Sequence, residues 1–264
     1  MDVAVTQRPL GRTGMSISPI GFGAFKIGRN TGIKYERGYE LPSDERAEHI
    51  LRGVLDSGIN HVDTAPAYGI SEQRIGAAIA DRRDAYILST KVGETFEGGT
   101  STYDFSPEAV TASVHRSLKR LSTDRIDVVL IHANHDDLGI MRDSGAPEAL
   151  DRLKASGEVR AVGLSGKTPA GFEAALGWAD VFMVEYHAEQ REMADLITRA
   201  HERGVGVLIK KGLASGTLSA DEAIRFVLGH EGVDSLTLGS LNLDHLRENL
   251  ASAMACRGVN PGRG

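Results

Sequence analysis

Eight short runs of apolar, largely β-branched residues recur along the chain, and stretches with helical periodicity separate them. This alternation is typical of repeated βα units built around a parallel sheet. Eight such units in 264 residues predict a closed (β/α)8 TIM barrel, with a doubly wound open sheet as the alternative. We predict barrel strands at residues 16–23, 61–65, 85–91, 126–132, 159–165, 181–187, 204–210 and 235–240.

Local signals define the ends of several elements. Apolar residues follow the i, i+3, i+4 spacing after Ser43 and again after Ser106, so we predict both serines as helix N-caps, with Pro107 in the first turn of the second helix. A Gly-containing turn between two short extended runs predicts a β-hairpin in residues 7–18. No Pro/Gly/Ser-rich linker divides the chain, and we expect one domain over residues 1–264.

The composition restricts the kinds of partner. A formal net charge of −6 at pH 7 argues against a nucleic-acid or anionic-membrane surface. The single cysteine, Cys256, cannot form an internal disulfide, no apolar run approaches the length of a membrane span, and the N-terminus does not read as a signal peptide. We therefore expect a cytoplasmic protein, a monomer or small homo-oligomer, that acts on a small molecule.

Polar residues end three successive predicted strands. Asp63 lies at the end of the second run with Tyr68 in its loop, and Lys91 and His132 end the next two runs. The carboxyl ends of barrel strands form the active face, so these four side chains are expected to meet. Lys91 would lower the pKa of the phenol, Asp63 would keep Lys91 protonated, and His132 would hydrogen-bond a substrate oxygen. Each residue alone has an ordinary structural explanation, but together they predict acid–base chemistry at a carbonyl.

An ordered set of short motifs covers nearly the whole chain. The segments "HVDTAPAYG", "STK", "DVVLIH", "VGLSG", "VEYH" and "LRENL" together resemble the aldo-keto reductase superfamily. The resemblance implies a barrel that binds NADPH or NADH without a Rossmann domain and transfers hydride to or from an aldehyde, ketone, sugar or alcohol. By its motif, Tyr68 looks like the family's general acid, Asp63 and Lys91 its modulators, and His132 its carbonyl-orienting residue.

The resemblance also implies a set of cofactor contacts. Three of them depart from the family's pattern, because Gly166 stands where Asn is usual, Met183 where Gln is common, and Lys210 where an aromatic residue stacks on the nicotinamide. The reactive end of the cofactor is therefore expected to be held differently. The positions are Gly23, Ala24, Phe25, Asp63, Ser165, Gly166, Met183, Lys210, Leu213, Ser215, Gly239, Ser240, His245, Glu248 and Asn249.

The choice between NADPH and NADH stays open. Gly239 and His245 stand where NADPH users of the family often carry basic residues, and Arg247 is near enough in sequence to substitute. A 2′-phosphate is best recognised by a guanidinium or ammonium group. We therefore expect weak NADPH selectivity or a preference for NADH.

Two motifs allow other functions. "GFGAFKIG" lacks the GxGxxG spacing, so its glycines Gly21 and Gly23 are better explained by close approach of a cofactor. "HANHDD" places His132, His135 and two aspartates in one loop, but the spacing matches no common metal motif, and we predict no metal site. The alternatives to a reductase are a barrel with weakened redox activity that acts as a cofactor-binding or regulatory protein and, third, a metal-dependent hydrolase.

Three loops are expected to form most of the substrate pocket. They span residues 24–42, 92–106 and 133–146, since only 14 residues follow "LRENL". Phe25, Tyr103 and Phe105 are candidates for its lining. The stretch "YDFSPEAV" resembles family members that oxidise aldoses, which favours a sugar-like or other small carbonyl substrate.

Overall fold

The computed structural model of the chain is a closed barrel of eight parallel strands surrounded by helices. It describes residues 5–33 and 38–258, without the side chains of residues 215, 257 and 258. The strands are β1 Arg8–Pro9, β2 Ser16–Ile17, β3 Ile20–Gly23, β4 His61–Asp63, β5 Ile87–Val92, β6 Glu94–Glu97, β7 Thr100–Tyr103, β8 Ile126–His132, β9 Val159–Ser165, β10 Val181–Glu185, β11 Gly206–Lys210 and β12 Ser235–Leu238. The barrel order β3–β4–β5–β8–β9–β10–β11–β12 closes with β12 against β3, which confirms the (β/α)8 fold and excludes the open sheet.

Helices follow the barrel strands, and both predicted caps are confirmed. The Ser43 hydroxyl accepts from the Arg46 amide at 3.2 Å, and the Ser106 hydroxyl accepts from the Ala109 amide at 3.3 Å. None of the described helices is long and apolar enough to cross a membrane. The α-helices are α1 Asp44–Asp56, α2 Ser71–Ile79, α3 Pro107–Arg120, α4 Asp137–Asp143, α5 Ala146–Ala155, α6 Pro169–Ala175, α7 Ala194–Glu202, α8 Ala220–Leu228 and α9 Leu243–Gly258.

The first predicted strand, 16–23, is wrong in one respect, because it is two strands. Ser16 and Ile17 pair antiparallel with β1 in the predicted N-terminal hairpin, and only Ile20–Gly23 belongs to the barrel. At the break, the Ser18 amide donates to the Asn60 side chain at 2.7 Å and Pro19 has no amide hydrogen for a ladder. The chain can therefore turn from the hairpin into the barrel.

The hairpin closes the N-terminal end of the barrel. Its residues Leu10, Met15 and Ile17 are buried in a cluster with side chains from inside the barrel. Burial of apolar surface at this end contributes stability and leaves the opposite end for polar side chains. The barrel residues of the cluster are Ile87, Val128, Leu130, Ala161, Val181, Met183 and Leu208.

The remaining strand predictions differ at their ends. The runs 126–132 and 159–165 match β8 and β9, but predicted strands 61–65, 181–187 and 235–240 end two residues early in the structure. The strands predicted at 85–91 and 204–210 begin two residues later in the structure, at Ile87 and Gly206. Assigned strand ends commonly differ by one or two residues from the extent of an apolar run.

The predicted loop 92–106 contains a second β-hairpin that the sequence analysis missed. Strands β6 and β7 pair antiparallel, with Glu97 opposite Thr100. Between them Gly98 and Gly99 have φ of +57° and +87°, the backbone that a two-residue hairpin turn requires and that glycine adopts without strain. Its first strand places Glu94 beside the end of β8.

Near the N-terminal hairpin, Asp127 of β8 joins three donors. Its Oδ2 accepts from the Leu88 amide at 2.9 Å and from Arg83 at 2.6 Å, and its Oδ1 accepts from Arg160 at 2.9 Å. The carboxylate is 1% exposed, so these bonds replace its lost hydration. Asp127 therefore links β5, β8 and β9 at the closed end of the barrel.

We expect Asp127→Ala to lower the free energy of unfolding by about 3 kcal/mol, because it leaves the buried Leu88 amide without its acceptor and Arg83 without its carboxylate partner. Urea unfolding followed by circular dichroism measures the change. The matched control is Asp124→Ala, since Asp124 is exposed and lies 3.8 Å from Arg125. Equal stabilities of the two variants would contradict the role of Asp127.

Candidate active site

The carboxyl ends of β4, β5 and β8 bring three of the four predicted catalytic residues together. The Lys91 ammonium donates to both carboxylate oxygens of Asp63 at 2.8 Å and to the Thr64 carbonyl oxygen, also at 2.8 Å. Lys91 is 1% exposed and Asp63 3% exposed. Burial is the largest influence and lowers the pKa of Lys91, but Asp63 and Tyr68 together outweigh it, and the pKa is raised from its ordinary value. The Asp63 carboxylate thus favours the charged form of Lys91.

Tyr68 lies in the loop after β4 and faces this ion pair. The Lys91 nitrogen is 4.8 Å from the centre of the phenol ring. The ring meets His132 edge-on at 6.2 Å between centroids and Phe25 edge-on at 5.1 Å. The four residues predicted from the strand ends therefore form one cluster at the mouth of the barrel, and Phe25 forms part of its wall.

The expected direction of the Tyr68 pKa shift is wrong. Burial is the largest influence and raises the pKa above 10, although Lys91 acts to lower it. Asp63 adds to the rise because its negative charge disfavours a phenolate. Lys91 therefore limits the rise without reversing it, and Tyr68 keeps its proton at neutral pH.

A chain of polar groups continues from Asp63 into the barrel. The Ser89 hydroxyl donates to Asp63 Oδ1 at 2.7 Å, and His61 Nε2 lies 2.9 Å from the same hydroxyl. Burial lowers the pKa of His61 to about 4, so this imidazole is neutral. A Cβ on Gly21 would lie 2.2 Å from His61 Nδ1. Gly21 thus makes room for His61, which corrects the expectation that it allows close approach of a cofactor.

Glu94 is a site residue that the sequence analysis missed. Its Oε2 lies 2.8 Å from His132 Nδ1, an ion-pair distance, although the angle of a hydrogen bond is not met. Ser101 on β7 donates to Glu94 Oε1 at 2.6 Å. Burial raises the pKa of Glu94, but His132 and Ser101 lower it to about 2. The glycine pair flanked by alternating residues was the signal that would have placed Glu94 here.

His132 is subject to opposing influences. Burial is the largest and lowers its pKa, and the charges of Lys91 and Lys210 lower it further. The Glu94 carboxylate raises it. The net effect is a lowered pKa, which favours the neutral imidazole at pH 7.

Three predicted cofactor residues, Ser165, Gly166 and Lys210, meet on one side of the mouth. The Lys210 amine donates to the Ser165 hydroxyl at 2.9 Å and to the Gly166 carbonyl oxygen at 3.0 Å. A Cβ on Gly166 would lie 2.9 Å from the Phe172 ring and 3.0 Å from Asp137 Oδ2. Packing of these two residues therefore explains why glycine stands where the family commonly has Asn.

Two further glycines leave bare backbone between β12 and β3. A Cβ on Gly239 would lie 3.2 Å from the Gly23 carbonyl oxygen, and one on Gly23 would lie 3.3 Å from a methyl group of Thr237. The Thr237 hydroxyl is buried and has no hydrogen-bond partner among the described residues. Bare backbone beside an unpaired hydroxyl is the kind of surface that an extended dinucleotide can approach closely.

Most of the other predicted cofactor positions are spread round the same end, but Met183 belongs to the apolar cluster under the N-terminal hairpin. Ala24 and Phe25 begin a 3₁₀ turn after β3, and Leu213 precedes another after β11. Met183 is buried in the apolar interior, and the side chain of Ser215 lies outside the described residues. Ser240 precedes α9, which carries exposed His245 and Glu248 and half-buried Asn249.

The loop after β8 has structural roles for both of its aspartates. The Asp136 side chain accepts from the Gly139 amide at 3.2 Å and caps α4. Asp137 is buried, and its Oδ2 accepts from the amides of Lys167 at 2.5 Å and Thr168 at 2.8 Å. Among residues 5–33 and 38–258, no three His, Cys, Asp or Glu side chains form a group that could hold a metal ion.

Comparisons with known proteins agree with the barrel and its polar mouth. The Aldo/keto reductase family matches residues 19–223, and the chain belongs to this family. It is 33% identical to L-galactose dehydrogenase of Arabidopsis thaliana over 80% of this chain and 66% of that enzyme, and 28% identical to D-threo-aldose 1-dehydrogenase of a Pseudomonas species over 83% and 73%. The chain is thus an oxidoreductase that uses NADPH or NADH.

Solved structures support the same assignment. A crystal structure of a candidate aldo-keto reductase from Pseudomonas aeruginosa superposes with a TM-score of 0.88, 40% identity and coverage of 95% of this chain and 96% of that one. The holo form of an aldo-keto reductase from Bacillus halodurans gives a TM-score of 0.81 at 26% identity, covering 98% and 93%. The likeness extends over nearly the whole length of both proteins.

We expect Glu94→Gln to lower the pKa of His132 further, because it removes the negative charge that favours the imidazolium. Titration of the His132 ring protons by NMR measures the shift, with the resonance identified in a His132→Asn variant. Glu97→Gln is the matched control, since Glu97 lies at the turn end of the same strand. If Glu94→Gln left the His132 titration as in the unmodified protein, the Glu94–His132 pair would have no electrostatic role.

Proposed function

We propose that the chain catalyses hydride transfer between a nicotinamide cofactor and the carbonyl carbon of a small aldehyde or sugar, with Tyr68 as the general acid. The observation that carries this proposal is the half-buried phenol set against the Lys91–Asp63 ion pair at the mouth of the barrel. Core packing does not require a buried ion pair there, because apolar residues of similar size often stabilise a fold at least as much as a buried ion pair does. An acid–base role explains why the charge is kept.

The chemistry assigned to Tyr68 follows from its protonation. With a pKa above 10, the phenol carries a proton that it can donate to a carbonyl oxygen as negative charge develops there. The Lys91 ammonium stabilises the phenolate that this step leaves behind. His132, whose ring meets that of Tyr68 edge-on at 6.2 Å between centroids, would hydrogen-bond and orient the same oxygen.

The described residues fit a dinucleotide at the mouth. The bare backbone of Gly23 and Gly239 beside the unpaired Thr237 hydroxyl suits its close approach, and Ser165 and Lys210 offer polar groups for its reactive end. The bound cofactor supplies the hydride. The chain's part is to hold it, to orient the carbonyl and to move one proton.

Several features support a small polar carbonyl compound as substrate. Related enzymes are named L-galactose dehydrogenase, D-threo-aldose 1-dehydrogenase and NADH-specific methylglyoxal reductase. Tyr103 and Phe105 stack at 6.2 Å on and beside the hairpin that carries Glu94. Aromatic faces next to carboxylate and hydroxyl groups suit the apolar and polar faces of a sugar. We further propose that residues 1–264 act as one cytoplasmic domain, alone or as a small homo-oligomer.

We expect Tyr68→Phe to lower kcat for aldehyde reduction by about a hundredfold or more, since general acid catalysis contributes about 10²–10⁴. Cofactor affinity, measured by the quenching of intrinsic fluorescence, should stay close to that of the unmodified protein, because the phenol contributes little to dinucleotide binding. Steady-state assays with glyceraldehyde measure the rate.

Tyr86→Phe is the matched control. It removes the same oxygen from a tyrosine just before β5, whose hydroxyl is buried without a hydrogen-bond partner among the described residues. This variant should turn over at the normal rate. Near-normal reduction by Tyr68→Phe would overturn the mechanism, and an unmodified protein that binds cofactor but reduces no aldehyde or sugar would favour the regulatory alternative.

We expect selectivity for NADPH over NADH to be less than about a hundredfold, or 2.7 kcal/mol. Arg247 is the nearest guanidinium on α9, but it is exposed and already paired with Asp244 at 3.1 Å. A preformed pair with a carboxylate weakens its attraction for a phosphate. Titrations with both cofactors measure the ratio.

Arg247→Ala should then weaken NADPH binding and leave NADH binding unchanged. Arg225→Ala is the matched control, because Arg225 on α8 is equally exposed and pairs with Asp221. A larger NADPH preference that survives Arg247→Ala would show that a different basic group recognises the phosphate.

A further inference from the structure

Three lysines near the mouth of the barrel differ in their partners. Lys91 is held by both carboxylate oxygens of Asp63, and Lys211 pairs with Glu185. Lys210 donates only to neutral oxygens, the Ser165 hydroxyl at 2.9 Å and the Gly166 carbonyl at 3.0 Å. No carboxylate of the described residues lies within ion-pair distance of its amine. Lys210 is therefore the one of the three that lacks a counter-ion.

The surroundings of Lys210 disfavour its charge. Burial is the largest influence, and the cations Lys211, Lys91 and Lys167 act in the same direction, against a weaker opposing effect of Glu185. Together they lower the pKa of Lys210 to about 7. Desolvation and neighbouring cations are the two ways in which proteins turn a lysine into a nucleophile. A substantial share of Lys210 is thus a free amine at neutral pH.

Lys210 stands next to the acid–base cluster at the carboxyl ends of the barrel strands. Lys210 is the last residue of β11, and its side chain is only half buried. It contacts Ser165, the last residue of β9, which stands opposite His132 in the parallel ladder. The charge of Lys210 also acts on His132. Lys210 and the acid–base cluster therefore face one opening.

We propose that Lys210 is a second reactive centre, whose amine reversibly captures small aldehydes as imines. The nitrogen lone pair attacks the carbonyl carbon to form a C–N bond as the C=O π bond opens, and one proton passes from the nitrogen to the oxygen to give a carbinolamine. The C–O bond then breaks and the oxygen leaves as water with the second nitrogen proton, which forms the C=N bond; addition of water reverses both steps. No oxidant or reductant is needed, so capture depends on neither a nicotinamide cofactor nor Tyr68.

The geometry supports this chemistry over a purely structural role. A lysine that served only to hold Ser165 and the Gly166 carbonyl would do so best as a permanent ammonium, and a nearby carboxylate would secure that charge. The structure instead places cations round it. The family resemblance puts an aromatic residue at this position, so a reactive amine here is a feature of this chain's own sequence.

Reductive trapping tests the proposal. The protein of residues 1–264, without cofactor, is incubated with glyceraldehyde and sodium cyanoborohydride at pH 7, and labelled peptides are located by mass spectrometry. The reagent reduces the imine to a stable secondary amine. We expect Lys210 to be labelled at least about tenfold faster than Lys211, because Lys211 is paired with the Glu185 carboxylate whereas Lys210 has only neutral oxygens as partners. Lys91 should remain unlabelled.

The pH dependence gives a second readout. Labelling of Lys210 should increase as pH rises through about 7 and then level off, because the free amine is the reactive form. Equal rates at the two lysines, or no label on Lys210, would overturn the proposal.

Variants separate this proposal from the hydride-transfer mechanism. Lys210→Arg should abolish the fast label, whereas Lys211→Arg should keep it. Tyr68→Phe should be labelled at the normal rate even if it cannot reduce aldehydes. Loss of labelling in Tyr68→Phe would show that capture needs the acid–base cluster, and would contradict a separate reactive centre.

Discussion

The mouth of the barrel depends on the burial of one ammonium group. Lys91 has lost nearly all contact with solvent, and the hydration it gives up is replaced by two oxygens of Asp63 and the carbonyl of Thr64. Such a pair is stable only if every remaining hydrogen-bonding position is filled. Ser89 fills one on Asp63, and His61 lies behind Ser89. The need to satisfy one buried charge thus determines polar side chains on two strands and a glycine on a third.

The two ends of the barrel differ in the side chains they bury. At the closed end, the hairpin supplies Leu10 and Ile17 to an apolar cluster, and Asp127 links neighbouring strands through hydrogen bonds. At the mouth, polar groups replace the apolar layer, so stability must come from elsewhere. The closed end therefore allows the open end to hold buried charges and unpaired groups such as the Thr237 hydroxyl.

The sequence predicted the barrel and its four clustered residues because both depend on local pattern. The apolar runs locate each strand end to within about two residues, and the parallel arrangement then brings Asp63, Lys91 and His132 to one edge. The sequence could not predict how burial and neighbouring charges combine to set a pKa. The pKa of Tyr68 is raised because burial outweighs Lys91, and no spacing in the sequence reports that comparison. Glu94 was missed for a different reason, since its hairpin was interpreted as an irregular loop.

Lys91 and Lys210 show how a barrel produces two kinds of lysine from equivalent positions. Both stand near the carboxyl end of a strand, yet one pKa is raised and the other falls to about 7. Burial acts on both in the same direction, so burial does not distinguish them. What differs is the partner, because Asp63 binds Lys91 through two oxygens, whereas Ser165 offers Lys210 a neutral hydroxyl. The position of a carboxylate on a neighbouring strand therefore decides whether a lysine here stabilises charge or attacks a carbonyl.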